Sequence, residues 1–479
     1  MNVAATEQSR PAVFSAPASR WWQAIGYCLL LALFGLSFYP ALFGVFIFLV
    51  WRWRNDRYNF LTELILLLGG FAFARNEILP IKLWDIALVA GVIGMVIYRK
   101  NKLVSRLSLA TLGYIAILVI LALTSVESMS IQFLSMRRYF LCVGFFIPLL
   151  VFADREFKWE PFMESVTVHA LVICGFYVVD TLILNGFMLL PGSNPWSGAF
   201  SFTNLPVSPL SFTFPRHYPP GLYWLFLLVV PITTGRLRLS WQQWTLIVLA
   251  IYSSRTNSLL FALMVCFICF RKEVRQVFAW AALGVVALVI GYAVDAATGR
   301  NLRLADNIDQ FAMLKVAEDE EDLAEFGTGR MAQIIPKWLL LDEMDRMAVG
   351  FGFLHPTKTT NPIFQVKNEF YSDVSQSEEV ATAVEETHVQ TILDCGYIGL
   401  IAQTLYYVGI FFIIRRQKYA RDYLCVLVGI SVLGVGGFAG LFNPAALLLL
   451  TMVLGAILMA NNQRYSAMVT ERFSDSPAI

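Results

Sequence analysis

Residues 385–416 read EETHVQTILDCGYIGLIAQTLYYVGIFFIIRR, and their plan is that of the whole chain. Two acids lead into Thr387-His388-Val389-Gln390, an apolar run follows to Ile414, and Arg415 and Arg416 close it. The run 390–414 suits the ~20 apolar residues, within a range of about 17–25, that an α-helix needs to cross hydrocarbon. A basic end marks the cytoplasmic side of such a helix and leaves the acidic end outside.

The pattern recurs. Further candidate spans fall at 59–74, 83–98, 107–124, 138–153, 162–188, 219–234, 277–295, 423–441 and 444–460. The stretch 23–51 is too long for one span and is broken by Pro40. The stretch 241–271 carries Ser253-Ser254-Arg255-Thr256-Asn257-Ser258 in its middle. The composition agrees: 57% of the residues are hydrophobic and 15% charged, whereas soluble domains run nearer 45–50% apolar and about 25% charged. A chain with a mean hydropathy of +0.63 cannot hide its apolar surface from water.

Basic clusters at Arg52/Arg54/Arg57, Arg99/Lys100/Lys102/Arg106, Arg236/Arg238, Arg271/Lys272/Arg275 and Arg415/Arg416/Lys418/Arg421 set the orientation. All five share the cytoplasm if both ambiguous stretches are hairpins. The expectation is an all-α polytopic membrane protein of about 12–14 transmembrane or partly spanning helices. Arg137 and Arg138 fall on the wrong side in this scheme. The organisation follows: a cytoplasmic tail over 1–22, a transmembrane bundle over 23–295, a large outer loop over 296–389, C-terminal helices over 390–460 and a second cytoplasmic tail over 461–479. The polar first 20 residues lack the small-residue cleavage site of a secretory signal.

The loop 296–389 holds 17 acidic against 8 basic residues, half of the chain's 34 acids. It is too long for a passive connection. Residues 330–346 read as an amphipathic helix suited to a membrane surface, and Gly350-Phe351-Gly352 as a turn. The acidic run Glu318-Asp319-Glu320-Glu321-Asp322 reads as a solvated face, since consecutive acids do not converge on one ion. No metal or cofactor is expected. Cysteines lie in or beside apolar runs, so no disulfide framework is indicated; Cys266 and Cys269 read as packing residues.

Four residues are candidates for chemistry. His388 opens a helix, with Thr387 and Gln390 at capping-box spacing, which puts an imidazole able to accept a proton at the outer boundary. The plainer reading is an exposed histidine at a loop–helix junction. Arg255 sits between apolar runs, where a charge costs about 2.5–3.5 kcal/mol at a helix centre. Arg216 stands in the rigid Phe214-Pro215-Arg216-His217-Tyr218-Pro219-Pro220-Gly221 segment, and Arg330 follows Gly327-Thr328-Gly329 at a helix start, a setting suited to anions. Each arginine also has a structural reading as a snorkelling or loop cation. In the scheme above all four share the outer face. Three guanidiniums and an imidazole there suit a phosphorylated lipid headgroup and a diphosphate leaving group. Glu63 and Asp180 are the obvious deep acids, too few for a transport pathway.

The order of these features resembles the O-antigen ligase/polymerase superfamily of bacterial envelope proteins. The resemblance rests on Ser254-Arg255 between paired apolar segments, Gly329-Arg330 in the loop, Val349-Gly350-Phe351-Gly352, Glu386-Thr387-His388, and Gly396-Tyr397-Ile398-Gly399-Leu400. It covers roughly residues 200–415. It departs at Val389, where the family commonly has Asn, and at Thr256-Asn257 after Arg255, where it has Gly.

The resemblance implies a GT-C-like, metal-independent glycosyltransferase of the bacterial inner membrane with its loop in the periplasm. Its donor would be an undecaprenyl-diphosphate-linked oligosaccharide. Arg255 and Arg216 would hold the diphosphate, Arg330 would help clamp the donor, and His388 would activate the acceptor hydroxyl or orient it. Polymerisation of repeat units into O-antigen or exopolysaccharide is favoured over ligation of finished glycan to lipid A core. A glycan-lipid flippase without chemistry is the reading from another class. The expected partners are membrane lipids and, as candidates, the chain-length regulator and flippase of the same pathway, with no nucleic acid.

Overall fold

The computed structural model describes residues 18–35, 39–70, 77–78, 81–153, 157–182, 330–355, 358–367, 378–380, 387–417 and 451–459, with single positions within 286–297, 420–424 and 447–448. Among these the protein is mostly helical, with two very short antiparallel ladders.

The stretch broken by Pro40 is two helices, α1 (Ala18–Gly35) and α2 (Tyr39–Asn55), packed on each other. Pro40 sits in the first turn of α2, where its missing N–H has no helical partner to lose. Asp56 caps α3 (Arg57–Ile65) by accepting from the amides of Tyr58 and Asn59, each at 3.1 Å. A π-helical turn, Leu66–Gly70, ends that helix. The ladder β1 (Glu77–Ile78) to β2 (Ile81–Lys82) then feeds α4 (Leu83–Ile97).

Asn101 caps α5 (Lys102–Leu123) in the same way as Asp56 caps α3. The span expected at 138–153 is not one straight helix. It is a 3-10 segment, Tyr139–Phe146, continuing into α7 (Ile147–Val151) and bent by 47° from α6 (Met129–Met136). The 3-10 segment lies tight against its neighbours. A Cβ on Gly94 of α4 would come 2.6 Å from the Phe146 carbonyl oxygen, and one on Gly144 would come 2.3 Å from Thr451 Oγ1. Helix α8 (Trp159–Leu182) packs on α1 and α3.

In the loop region come α9 (Arg330–Glu343), β3 (Gln365–Lys367) and β4 (Glu378–Val380), then α10 (Thr387–Ile414). The amphipathic helix expected at 330–346 stops at Glu343 and continues through Pro336. Its apolar stripe packs on protein: Leu341 joins Phe351, Leu354, Phe364, Val366, Ile392 and Leu393 in a small core of its own. Burying each such side chain stabilises by about 1.5–3 kcal/mol relative to exposure, so this part of the loop is folded.

Among the described residues two helices are long and apolar enough to cross a membrane, α5 over its 22 residues and α10 over 27 from His388, or three if the bent pair counts as one. At ~1.5 Å per residue the unbroken α5 measures about 33 Å, against a hydrocarbon core of about 30 Å, and α10 packs along it. They run antiparallel. Thr111 Oγ1 meets Tyr406 Oη at 3.2 Å, the Tyr114 and Tyr406 rings stack at 4.7 Å, and the Cβ site of Gly399 lies 3.6 Å from Leu121. One face of each is buried, through Leu107, Leu118 and Leu121 or Ala402, Ile410 and Ile414. The other face exposes Leu109, Ile120 and Leu123 or Ile401, Leu405 and Phe412. Apolar belts of this extent are stable against lipid tails and not against water.

Candidate functional site

Helix α10 is broken where glycine allows it. Gly396 has φ 65° and ψ −170°, a left-handed excursion inside an otherwise helical run. A break strips the local i to i−4 bonds, and buried backbone groups must find other partners. The loop provides them. Phe351 and Gly352 donate their amides to the Leu393 and Asp394 carbonyls at 2.7 and 3.0 Å. Tyr397 and Ile398 donate theirs to Met347 and Ala348 at 2.9 and 3.1 Å. Four bonds therefore plug residues 347–352 into the gap. Gly350 (φ 77°) and Gly352 (φ 95°) make the turn expected at Gly350-Phe351-Gly352, and backbone or side-chain atoms lie within 2.6 Å of both Cβ sites.

The turn is anchored on a second side. Arg346 donates from Nε to the Gly350 carbonyl at 2.7 Å and from Nη2 to the Thr124 carbonyl at the end of α5 at 3.0 Å. Partial burial pushes its guanidinium down from the usual value. Ser125 Oγ donates to the Phe351 carbonyl at 2.7 Å, and Gln132 Oε1 accepts from the Phe353 amide at 3.4 Å. The end of α5, the start of α6, the turn and the first arm of α10 thus form one end of the molecule. The basic starts and stops of the two long helices, at Lys102 and Arg106 and at Arg415 and Arg416, lie at the other.

Asp394 is the polar centre of this end. It is buried on the first arm of α10 and receives Arg138, Tyr139 and Gln390. The Gln390 amide donates forward to Asp394 Oδ1 at 2.8 Å. Arg137 binds both oxygens of Asp85, at 2.8 and 3.0 Å. The two cations that looked misplaced in the sequence are therefore each held by a carboxylate. Asp394 was hidden in a run read as apolar, so Glu63 and Asp180 are not the full set of deep acids. Glu63 is buried, and the Asp180 side chain lies outside the described residues.

Of the four candidates, His388 is the one whose side chain is described. It is exposed on the first turn of α10, which starts one residue earlier than the sequence implies, at Thr387. Six residues separate it from Asp394, about 9 Å along the axis. Arg330 is the first residue of α9, with its side chain outside the described residues. Arg216 and Arg255 lie outside them altogether, as do the acidic run 318–322 and Cys266 and Cys269. Whether the four share a site lies outside the described residues. The turn predicted for residues 350–352 and the histidine do share one end.

No known protein-family model matches the chain, and no curated protein matches it. Among the described residues no three His, Cys, Asp or Glu side chains converge as a metal site. What this end can do chemically rests on an exposed imidazole on the helix arm to which the turn is hydrogen-bonded. Arg138 and Arg346 are engaged with protein acceptors and serve to fix that turn and the arm that carries His388.

Proposed function

We propose that the chain is a membrane-embedded glycosyltransferase that polymerises undecaprenyl-diphosphate-linked oligosaccharide repeat units at the outer face of a bacterial inner membrane. One observation carries the reading: His388 is presented at the end of the helix pair opposite its basic termini, on an arm that the loop holds rigid. A carrier lipid surfaces at such an end, and a base fixed there meets the sugar attached to it.

In the reaction proposed, an acceptor sugar hydroxyl attacks the anomeric carbon of the donor. The carbon–oxygen bond to the diphosphate breaks and undecaprenyl diphosphate leaves with the electron pair. His388 takes the hydroxyl proton. Arg255, Arg216 and Arg330 are assigned the charge that develops on the diphosphate, because guanidinium binds phosphate in two-pronged fashion.

The test is complementation of a deletion strain with His388→Ala, with protein abundance in the membrane measured alongside. Loss of long-chain polysaccharide at normal abundance is expected, and a normal ladder would remove His388 from the mechanism. The glycan-lipids that accumulate in the deletion strain separate the classes. Single repeat units on the outer leaflet mean polymerase, long unattached chains mean ligase, and repeat units trapped on the inner leaflet mean flippase.

A further inference from the structure

On helices other than those of the His388 site, six buried side chains with polar groups form one connected network. The His169 ring, fully buried on α8, has its Nδ1 2.8 Å from the Ser165 carbonyl and its Nε2 3.2 Å from Glu63 Oε1. Arg52 Nε donates to the same Glu63 oxygen at 3.1 Å, and its Nη1 donates to Gln23 Oε1 at 2.7 Å. Tyr27 donates to the Glu63 carbonyl at 2.8 Å, and Ser165 Oγ to Asn59 Oδ1 at 2.5 Å. Arg52, Glu63, Asn59, Ser165 and His169 are each at most 1% exposed. Four helices, α1, α2, α3 and α8, contribute.

Both nitrogens of this ring face acceptors, and that fixes the proton count. A carbonyl only accepts, so Nδ1 carries a hydrogen. Nε2 then faces a carboxylate oxygen. A neutral ring against an ionised Glu63 would set two lone pairs against each other at 3.2 Å, in a buried place where such a contact is not screened. One additional proton removes the conflict. It rests on Nε2, giving imidazolium against carboxylate, or on Glu63, giving carboxylic acid against imidazole. Glu63 Oε2 has no protein donor among the described residues, so the carboxyl group depends on Arg52 and this proton.

The charges around the ring are compatible with it. Tyr27 of α1 presents its ring edge to His169 at 6.4 Å, and Arg52 of α2 and Glu63 of α3 complete the first contacts. Next to them Arg20 pairs with both Asp56 and Glu164. Arg57 of α3 is turned to the Val151 carbonyl and the face of Trp53, while Arg54 and Glu160 complete the charged residues of α2 and α8 nearby.

We propose that His169 and Glu63 form a buried proton-binding site that ties α1, α2, α3 and α8 into one unit, so that losing the proton loosens the N-terminal bundle. The ligand is a hydrogen ion drawn from water, and the site is independent of the glycan chemistry proposed above. Deep ionisable pairs in membrane helices serve as such sites because lipid offers them no other partner.

The experiment uses the full chain in lipid nanodiscs with ring-15N-labelled histidine. The chain has four histidines, and the His169 signals are assigned by their loss in His169→Gln. At neutral pH the spectrum should show hydrogens on both ring nitrogens. Failing that, difference infrared should show a protonated carboxyl that Glu63→Gln removes. A neutral ring with bare Nε2 beside an ionised Glu63 overturns the proposal.

Glu63→Gln supplies the second measurement. Arg52 and His169 meet the same Glu63 oxygen, so the amide oxygen of the variant keeps the acceptor for Arg52 while the carboxylate that shares a proton with His169 is gone. The folded wild type holds a proton that the unfolded chain does not, so its melting midpoint should fall as the pH is raised. The midpoint of Glu63→Gln should fall less. Equal slopes overturn the tie. If Glu63→Gln does not fold, the wild-type spectra alone decide.

Discussion

Gly396→Ala is the substitution whose effect the geometry determines best. At φ 65° and ψ −170° an L side chain is strained whatever the space around it, at about 1–3 kcal/mol. Space is lacking too: the new Cβ would lie 2.2 Å from the Ala348 carbon and oxygen and 2.3 Å from the Val349 nitrogen. These are backbone atoms and cannot rotate away, so the turn must withdraw. Withdrawal breaks the four bonds that join Leu393, Asp394, Tyr397 and Ile398 to the loop, each worth about 0.5–1.5 kcal/mol net. The combined cost is about 3–9 kcal/mol, enough to undock residues 347–352 without unfolding the helices beneath. Gly409→Ala on the same helix is the control. Nothing lies within 4 Å of its Cβ site, and the exchange should be neutral or stabilise by up to about 1 kcal/mol. Hydrogen exchange in detergent reads both. The Phe351, Gly352, Tyr397 and Ile398 amides should lose protection in Gly396→Ala and keep it in Gly409→Ala. Unchanged protection in Gly396→Ala would show that the loop is not seated in the helix break.

Four further substitutions probe other positions. Asp394→Asn keeps one acceptor oxygen and turns the other into an NH2, so Gln390 or the Tyr139–Arg138 side loses its acceptor and Arg138 loses its counter-charge. A cost of about 2–4 kcal/mol is expected in denaturant melts, and Asp394→Asn with Arg138→Gln should cost less than the sum of the two singles. Gly94→Ala drives a Cβ to 2.6 Å from the Phe146 carbonyl oxygen and should destabilise by about 1–3 kcal/mol. Gly113→Ala on α5, with open space at its Cβ site, should leave the melting temperature unmoved or raised. Arg255→Lys should abolish long-chain polysaccharide at normal membrane abundance, because an ammonium cannot make the two-pronged phosphate contact; a normal ladder would strike Arg255 from the diphosphate site.

Length and apolar content made the helices legible. The runs at 83–98 and 107–124 are α4 and α5 to within a few residues, and Pro40 divides 23–51 as its missing amide requires. The broken span at 138–153 was not legible, since Leu141 to Leu150 is as apolar as any straight helix. Its course follows instead from what packs on it, Gly91 and Gly94 on one side and Thr451 on the other. Pattern reads the solvent a segment prefers and is silent about a bend imposed by neighbours.

The candidate site divides along the same line. His388 and the glycines at 350 and 352 announce themselves locally, by a helix start and by turn chemistry. Asp394, Arg138 and Tyr139 do not, because their meaning lies in a contact across more than 250 residues of chain. Counted as free cations, Arg137 and Arg138 contradict the charge rule that orients the other clusters. In the fold each is met by a carboxylate, from Asp85 and Asp394. The energy that would drive them to the basic end is therefore largely offset where they stand. A single Asp inside an apolar run is costly to bury alone. Its presence at 394 is thus a demand for a cation, and the arginine that no topology could place is the one that answers it.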